Sequence, residues 1–69
     1  MSDHIYRKIE ITGSSTESSD QAVRSAVAKA GETIKHMEWF EVIDMRGVLK
    51  KHDVVAWQVT IKIGFRIEE

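Results

Sequence analysis

The sequence predicts an α+β fold of the order β-α-β-β, in which a three-stranded antiparallel sheet packs on one helix. Apolar and polar residues alternate near both ends of the chain, and a segment with helical spacing follows the first alternating stretch. A polar run then divides the second half into two strands. With 69 residues the chain has room for a single domain over 1–69.

The first strand is predicted from His4 to Thr12, where Ile5, Ile9 and Ile11 share one parity. Its apolar side carries Ile5, Arg7, Ile9 and Ile11, and its other side carries His4, Tyr6, Lys8 and Glu10. The small polar residues from Gly13 to Glu17 predict a connection to the helix.

The helix is predicted to begin after Ser18, a favourable N-cap that Gln21 completes as a capping box. Its apolar positions are Ala22, Val23, Ala26, Val27, Ala30 and Ile34. The alanines of this set form a smooth stripe that allows close approach to a sheet. Gly31 weakens the last turns, so the helix is expected to end between Gly31 and His36.

The second strand is predicted from Met37 to Val48 and is apolar on both sides, so neither side faces water. One side carries Phe40 and Val42, the better candidates for packing on the helix, and the other carries Trp39, Ile43 and Met45. A bend is expected at Arg46–Gly47.

A hairpin connection at 50–53 leads into the last strand, which alternates with unusual regularity. Its apolar side carries Trp57, Val59, Ile61, Ile63, Phe65 and Ile67, and its polar side Gln58, Thr60, Lys62, Gly64 and Arg66. One helix covers only part of such a sheet. The uncovered apolar surface and the long open strand edges predict a closed homo-oligomer.

Composition narrows the possible functions. A net charge of −1 gives no general attraction to nucleic acid. The chain has no cysteine and no metal-ligand spacing among its three histidines, so partner subunits remain as the means to stabilise a thin core. It also has no apolar stretch long enough for a membrane span or signal peptide, and we expect a cytoplasmic protein.

Trp39 is the residue that points to a function. Strand parity turns its ring away from the core of its own subunit. The ring could be an anchor in a subunit interface or a stacking platform for a planar ligand, and on a two-fold axis both roles could coincide. Trp57 lies on the core-facing parity and is expected to pack there.

Three stretches of the sequence are distinctive: the run ETIKHMEWFEV at 32–42, the start HIYRKIE at 4–10 leading into TGSS at 12–15, and the ending from WQV at 57–59 to GFR at 64–66. In these stretches the sequence resembles the dodecins. Dodecins are small flavin-binding proteins that assemble into a hollow dodecamer. The resemblance implies FMN as cofactor, with riboflavin or lumichrome as other possible ligands, and it implies storage without catalysis.

The resemblance also implies residue roles. Trp39 would stack on the isoalloxazine ring, with two flavins between two symmetry-related tryptophans, and Gln58 would hydrogen-bond the ring edge. Arg66 and Arg46 would meet the phosphate or the ring oxygens, although the parity of Arg46 differs from that of Trp39. That difference requires a bend at Gly47 or a contribution from a neighbouring subunit.

Some bacterial dodecins are associated with coenzyme A, and the resemblance places this ligand at Arg7, Lys29, Thr33 and Lys35. A solvated helix face is the favoured explanation for the helical members of this set. The loop at 12–15 could bind an anion at the helix N-terminus or serve as a plain capping turn.

Two other functions stay open on the sequence alone. A ligand-free structural or interaction oligomer would show the same assembly without binding flavin. An oligomeric enzyme would have to turn over a substrate such as reduced nicotinamide with its bound flavin.

Overall fold

A computed structural model describes residues 3–67 and places one helix and three strands in the predicted order. The elements are β1 (Tyr6–Ser15), α1 (Ser19–Ala30), β2 (Met37–Lys50) and β3 (Asp53–Arg66). The strands are antiparallel, and β3 lies between the other two in the order β1-β3-β2. The predicted β-α-β-β fold, with one helix and a three-stranded antiparallel sheet, is confirmed.

The start of α1 follows the predicted cap. Ser18 has extended backbone, and its hydroxyl accepts the backbone N–H of Gln21 at 3.0 Å. The reciprocal half of the capping box is replaced, because the backbone N–H of Ser18 donates to the Ser15 hydroxyl instead of to Gln21. The helix ends at Ala30 with Gly31 as its C-cap, one residue before the predicted interval.

The segment before the helix is more extended than predicted. The expected connection at 13–17 shortens because β1 continues through Ser15, whose backbone pairs with Trp57 on β3. The Ser15 hydroxyl then accepts the backbone N–H of Glu17 at 2.9 Å and that of Ser18 at 3.4 Å. These bonds support the interpretation of this loop as a capping turn.

The core is small and lies between α1 and the two strands that the helix covers, β1 and β3. Its fully buried members are Ala22, Ala26, Val59, Ile61 and Ile63. Phe40 and Val42 lie on the helix side of β2 as predicted, yet they stay 47% and 56% exposed because α1 does not cover β2. The expected uncovered apolar surface is therefore present.

Because Gly13 has no side chain, the backbone of α1 can pack directly against the backbone of β1. A Cβ at this position would overlap the carbonyl oxygen of Ala22 and would lie 2.9 Å from the Cβ of Ala26. The predicted alanine stripe thus packs directly on the strand backbone, and only glycine fits beneath it.

We expect Gly13→Ala to lower the free energy of unfolding by about 1–3 kcal/mol, because overpacking against a helix backbone cannot be relieved by a side-chain rotation. Urea unfolding at fixed protein concentration measures this. Gly31→Ala is the matched control, since Gly31 has right-handed helical backbone with φ −66° and its nearest neighbour is the flexible end of Met37. Equal stability of the two variants would contradict the close approach at Gly13.

Strand β2 differs from prediction in its course. It extends past Val48 to Lys50 and shows no break in pairing at Arg46–Gly47, so the expected bend there is wrong. The irregularities are register shifts between Met37 and Trp39, between Val42 and Asp44, and between Val48 and Leu49. A bulge reverses the alternation of side chains, so residues beyond it exchange faces.

The bulge at Ile43 corrects the placement of Met45. Alternation assigns Met45 to the side of Trp39, but after the extra residue it pairs with Val59 and lies on the helix side. The same shift pairs Arg46 with Gln58. The bulge therefore changes the composition of both faces of the sheet.

Strand β3 matches its predicted alternation, although it begins earlier, at Asp53. Trp57 and Phe65 are half-buried on the helix side, whereas Ile67 lies beyond the strand and is largely exposed. At the far end, β2 and β3 continue past β1 as a two-stranded ribbon that turns at Lys51 and His52. The chain is consequently elongated, with a long axis of 55 Å.

Candidate ligand-binding face

The sheet has a second side, opposite α1, which we call the outer face. Its described residues, read from the strand pairing, are Tyr6, Lys8, Glu10, Thr12 and Ser14 on β1, Trp39, Glu41, Asp44, Arg46 and Val48 on β2, and Ala56, Gln58, Thr60, Lys62, Gly64 and Arg66 on β3. The prediction that Trp39 faces away from its own core is confirmed, since Trp39 pairs with Gly64 on this face.

The Trp39 ring lies over the backbone of the central strand. A Cβ on Gly64 would overlap three carbons of the six-membered ring of the indole, so the ring occupies the place of a side chain at that position. The Tyr6 ring meets it edge to face, with centroids 5.2 Å apart and planes at 66°. Trp39 keeps 39% of its surface exposed, so a flat aromatic area remains open to solvent.

A hydrogen bond also fixes the N–H edge of the Trp39 indole. Trp39 Nε1 donates to Glu41 Oε2 at 3.0 Å, and the same oxygen accepts from Lys8 Nζ at 2.7 Å. The hydrogen bond from Lys8, and then the one from Trp39, lowers the pKa of Glu41 below its ordinary value. The carboxylate is therefore ionised throughout the neutral range.

Arg46 reaches the outer face without a bend in the chain. The bulge at Ile43 gives it the parity of Trp39, so the predicted mismatch in parity is wrong for a local reason. Its Nε donates to Gln58 Oε1 at 2.8 Å, and its Nη1 donates to Asp44 Oδ2 at 2.7 Å. An arginine nitrogen can only donate, so this contact orients the amide with its NH₂ group away from Arg46.

Arg66 lies near the end of β3, on the outer face beside Tyr6. Its Nη2 is 3.4 Å from His36 Nδ1, and its Nη1 is 4.0 Å from Glu38 Oε2. The guanidinium is only partly engaged by this distant carboxylate, and the Arg66 side chain is 34% exposed. Such a group can still bind an anion.

The predicted flavin residues fall into two groups on one chain. Trp39 and Arg66 lie close to Gly64, whereas Arg46 and Gln58 lie six residues away along β3. At roughly 3.3 Å per residue, the groups are about 20 Å apart. Trp39 and Gln58 of the same chain therefore cannot contact one flavin ring.

The predicted coenzyme A residues are also brought together in part. Arg7, Thr33 and Lys35 line a depression of 320 Å³ together with Arg66. Lys29 lines a neighbouring depression of 470 Å³, which shares Thr33, and pairs with Glu32 at 3.4 Å. A coenzyme A site at these residues stays a prediction.

Comparison with known proteins decides the family. The dodecin family model matches residues 5–68. The chain belongs to the dodecin family. The dodecin of Thermus thermophilus is 40% identical over 65 residues, which is 94% of each chain.

Solved dodecin structures have the same subunit fold. The dodecin of Streptomyces coelicolor is 48% identical, with a TM-score of 0.93 over 100% of this chain and 99% of its own. The dodecin of Streptomyces davaonensis is 44% identical, with a TM-score of 0.93 over 99% of this chain and 100% of its own. The resemblance stated from the sequence is thus confirmed for the family and for the subunit fold.

Sequence reasoning missed four residues that shape the outer face of this dodecin: Tyr6, Lys8, Glu41 and Gly64. Gly64 could have been singled out from the sequence, because a glycine inside an alternating strand often marks a place where another group approaches the backbone closely. Over residues 3–67, no helix is long and apolar enough to cross a membrane. No cluster of metal-ligating side chains occurs in the same range.

Proposed function

We propose that this dodecin is a cytoplasmic flavin store that holds FMN against Trp39 at contacts between copies of the chain. The flavin would be bound in stacked pairs and its photochemistry quenched by the indole, without turnover of a substrate. The observation that carries the proposal is the open indole surface of Trp39, held next to Gly64 on a face that the helix does not cover.

Trp39 suits a planar ligand better than a flexible one. Its ring is held by the strand backbone below and by Tyr6 and Glu41 at its edges, so it requires little reordering when a ligand stacks on it. Stacking of an aromatic ring on such a surface is worth about 1–3 kcal/mol, by analogy with stacked nucleobases. The indole is also an electron-rich partner for the flavin ring.

The separation between Trp39 and Gln58 supports a site shared between copies. Because these residues lie about 20 Å apart on one chain, a ring stacked on Trp39 can receive the amide only from another copy. The uncovered apolar residues on the helix side of β2 give a separate reason for association. We propose a closed homo-oligomer, and the family implies that it is a dodecamer.

Polar groups supply the specificity. With its carbonyl engaged by Arg46, Gln58 offers its NH₂ group to the carbonyl oxygens of a flavin edge. Arg66 provides a partly exposed guanidinium that suits a phosphate, which favours FMN over riboflavin and lumichrome. Arg46, already paired with Asp44, contributes mainly by orienting the amide.

Titration of FMN with the purified protein tests the proposal. We expect FMN fluorescence to fall as protein is added and to reach a plateau at a fixed ratio of flavin to chain, with riboflavin and lumichrome titrated alongside. Light scattering on the same samples gives the oligomer size.

The outcomes separate the competing functions. An oligomer that leaves FMN fluorescence unchanged would contradict flavin storage and favour a ligand-free structural role. Steady oxidation of reduced nicotinamide by the loaded protein would favour an enzyme instead.

A further inference from the structure

The carboxylate of Glu41 binds two side chains of the outer face, Trp39 and Lys8. One of its oxygens accepts both the indole N–H of Trp39, at 3.0 Å, and the ammonium group of Lys8, at 2.7 Å. Lys8 and Glu41 sit on the two outer strands of the sheet, and β3 lies between them. The interaction therefore links β1 to β2 across the central strand.

Gly64 makes this link possible. Lys8 and Trp39 both pair with Gly64, one from each side, and no side chain rises between them. The lysine and the indole converge on the carboxylate of Glu41, which pairs with Lys62 in the next row of the same face. A Cβ at position 64 would overlap the indole.

This contact differs from a common surface ion pair. An exposed pair between two flexible side chains contributes little, because both lose freedom when they meet. Here the carboxylate also accepts a hydrogen bond from the one polar atom of an indole. That bond restricts rotation of the ring about the Cβ–Cγ bond of Trp39. Hydrogen bonds to an ionised acceptor are shorter and stronger than those between neutral groups.

We propose that Glu41, held in place by Lys8, is a positioning residue that fixes the Trp39 ring in the orientation that receives the ligand. The inference rests on the proposed flavin function and adds to it a residue that does not touch the flavin. Glu41 acts through the indole, and Lys8 acts through Glu41.

Loss of this bond should weaken binding moderately. A Trp39 ring that is free to rotate must be ordered when the ligand stacks, and ordering one such side chain reduces affinity by about 2- to 10-fold. Glu41→Ala removes the acceptor and is expected near the top of this range. Glu41→Gln keeps an acceptor but loses the charge, so its effect should be smaller.

Acid provides an independent readout. Because the hydrogen bonds from Lys8 and then from Trp39 lower the pKa of Glu41, the carboxylate keeps both partners from neutral pH through the range in which an ordinary carboxyl group becomes protonated. Its contribution is lost as pH falls through the lowered pKa. The charged groups beside it on the outer face are Lys8 and Glu10 on β1, Lys62 on β3 and Asp44 on β2.

The experiment compares Glu41→Ala and Glu41→Gln with Glu10→Gln, which removes the same charge on the same face, across Lys62 of β3 from Glu41. Each variant is made in a Trp57→Phe background, so that Trp39 is the only source of the indole signal. Ultraviolet resonance Raman of the ligand-free protein measures the strength of the indole N–H hydrogen bond. FMN titration between neutral and acid pH measures affinity.

We expect Glu41→Ala to lose the hydrogen-bonded indole signature and to bind FMN about 5- to 10-fold more weakly, with Glu10→Gln unchanged in both. The FMN affinity of Glu41→Ala should also lack the decrease at acid pH that the Trp57→Phe protein shows. An unchanged indole signature, or FMN affinity equal to that of Glu10→Gln, would overturn the inference. Failure of the unsubstituted protein to bind FMN would overturn the proposed function instead, and the Raman signature would still decide the role of Glu41.

Discussion

Trp39→Ala is expected to weaken FMN binding by one to two orders of magnitude, because a lost stacking contact costs about 1–3 kcal/mol and each 1.4 kcal/mol is a tenfold change. The variant should also leave most of the fluorescence of the remaining bound flavin unquenched. FMN fluorescence titration measures both quantities in one series. The fold should survive, since the Trp39 ring lies on the outer face and contributes nothing to the buried core.

Two further variants separate stacking from subunit anchoring. Trp39→Phe keeps a flat ring and should bind more tightly than Trp39→Ala, whereas Trp57→Phe, on the opposite side of the sheet, should bind as the unsubstituted protein does. Light scattering on Trp39→Ala tests the other role of the ring. If that variant dissociates into smaller species, Trp39 is an interface anchor, and FMN binding by Trp39→Ala at full affinity would remove the stacking role altogether.

The strands and the helix were predictable because their signals are local. Alternation at period two identified β3, and the Ser18 cap placed the first turn of α1 correctly. The strand order was not predictable in the same way. In the order β1-β3-β2, the helix covers β1 and β3 and leaves the edge strand β2 uncovered. This order explains why Phe40 and Val42 lie on the helix side of the sheet and yet stay exposed.

The largest error came from a single extra residue. Ile43 is an ordinary strand residue, and nothing in its type announces a bulge. Yet the bulge moves Met45 to the helix side and Arg46 to the outer face. A period-two count fails for every residue beyond such a point, which is why the sequence placed Trp39 correctly and Arg46 wrongly.

Members of the candidate site could be proposed from the sequence, but their spatial arrangement could not. Trp39 and Gln58 share a face, as the alternation suggests, and only the strand register shows that they lie at opposite ends of it. The support around the indole depends on contacts between strands that are far apart in sequence. Lys8 and Glu41 belong to strands that are far apart in sequence, and they meet across β3, where they pair with Gly64 and Lys62.

Gly64→Ala is the second variant for which we expect a large effect. The added Cβ would overlap carbons of the Trp39 ring, and the ring must leave its position because the strand backbone beneath it cannot move away. We expect FMN affinity to fall more than tenfold and to approach that of Trp39→Ala. The displaced indole loses both its position next to Gly64 and its hydrogen bond to Glu41. FMN titration measures the loss.

Gly47→Ala is the matched control, because it adds the same methyl group to a neighbouring strand. Gly47 has no positive φ, and a Cβ there would meet Val54 at an ordinary contact distance of 3.6 Å. This variant should bind FMN as the unsubstituted protein does. Equal affinity of Gly64→Ala and Gly47→Ala would mean that the indole does not need the space above Gly64 when the ligand is bound.

A double variant separates displacement of the ring from general damage to the strand. If Gly64→Ala acts only by moving Trp39, it should cost almost nothing further once Trp39 is already alanine, so the two effects should be strongly non-additive. If instead the losses add, the methyl group disturbs β3 itself, and the effect on binding is not specific to the indole. The unfolding free energy of each variant completes the comparison, because a specific effect leaves stability within about 1 kcal/mol of the control while binding collapses.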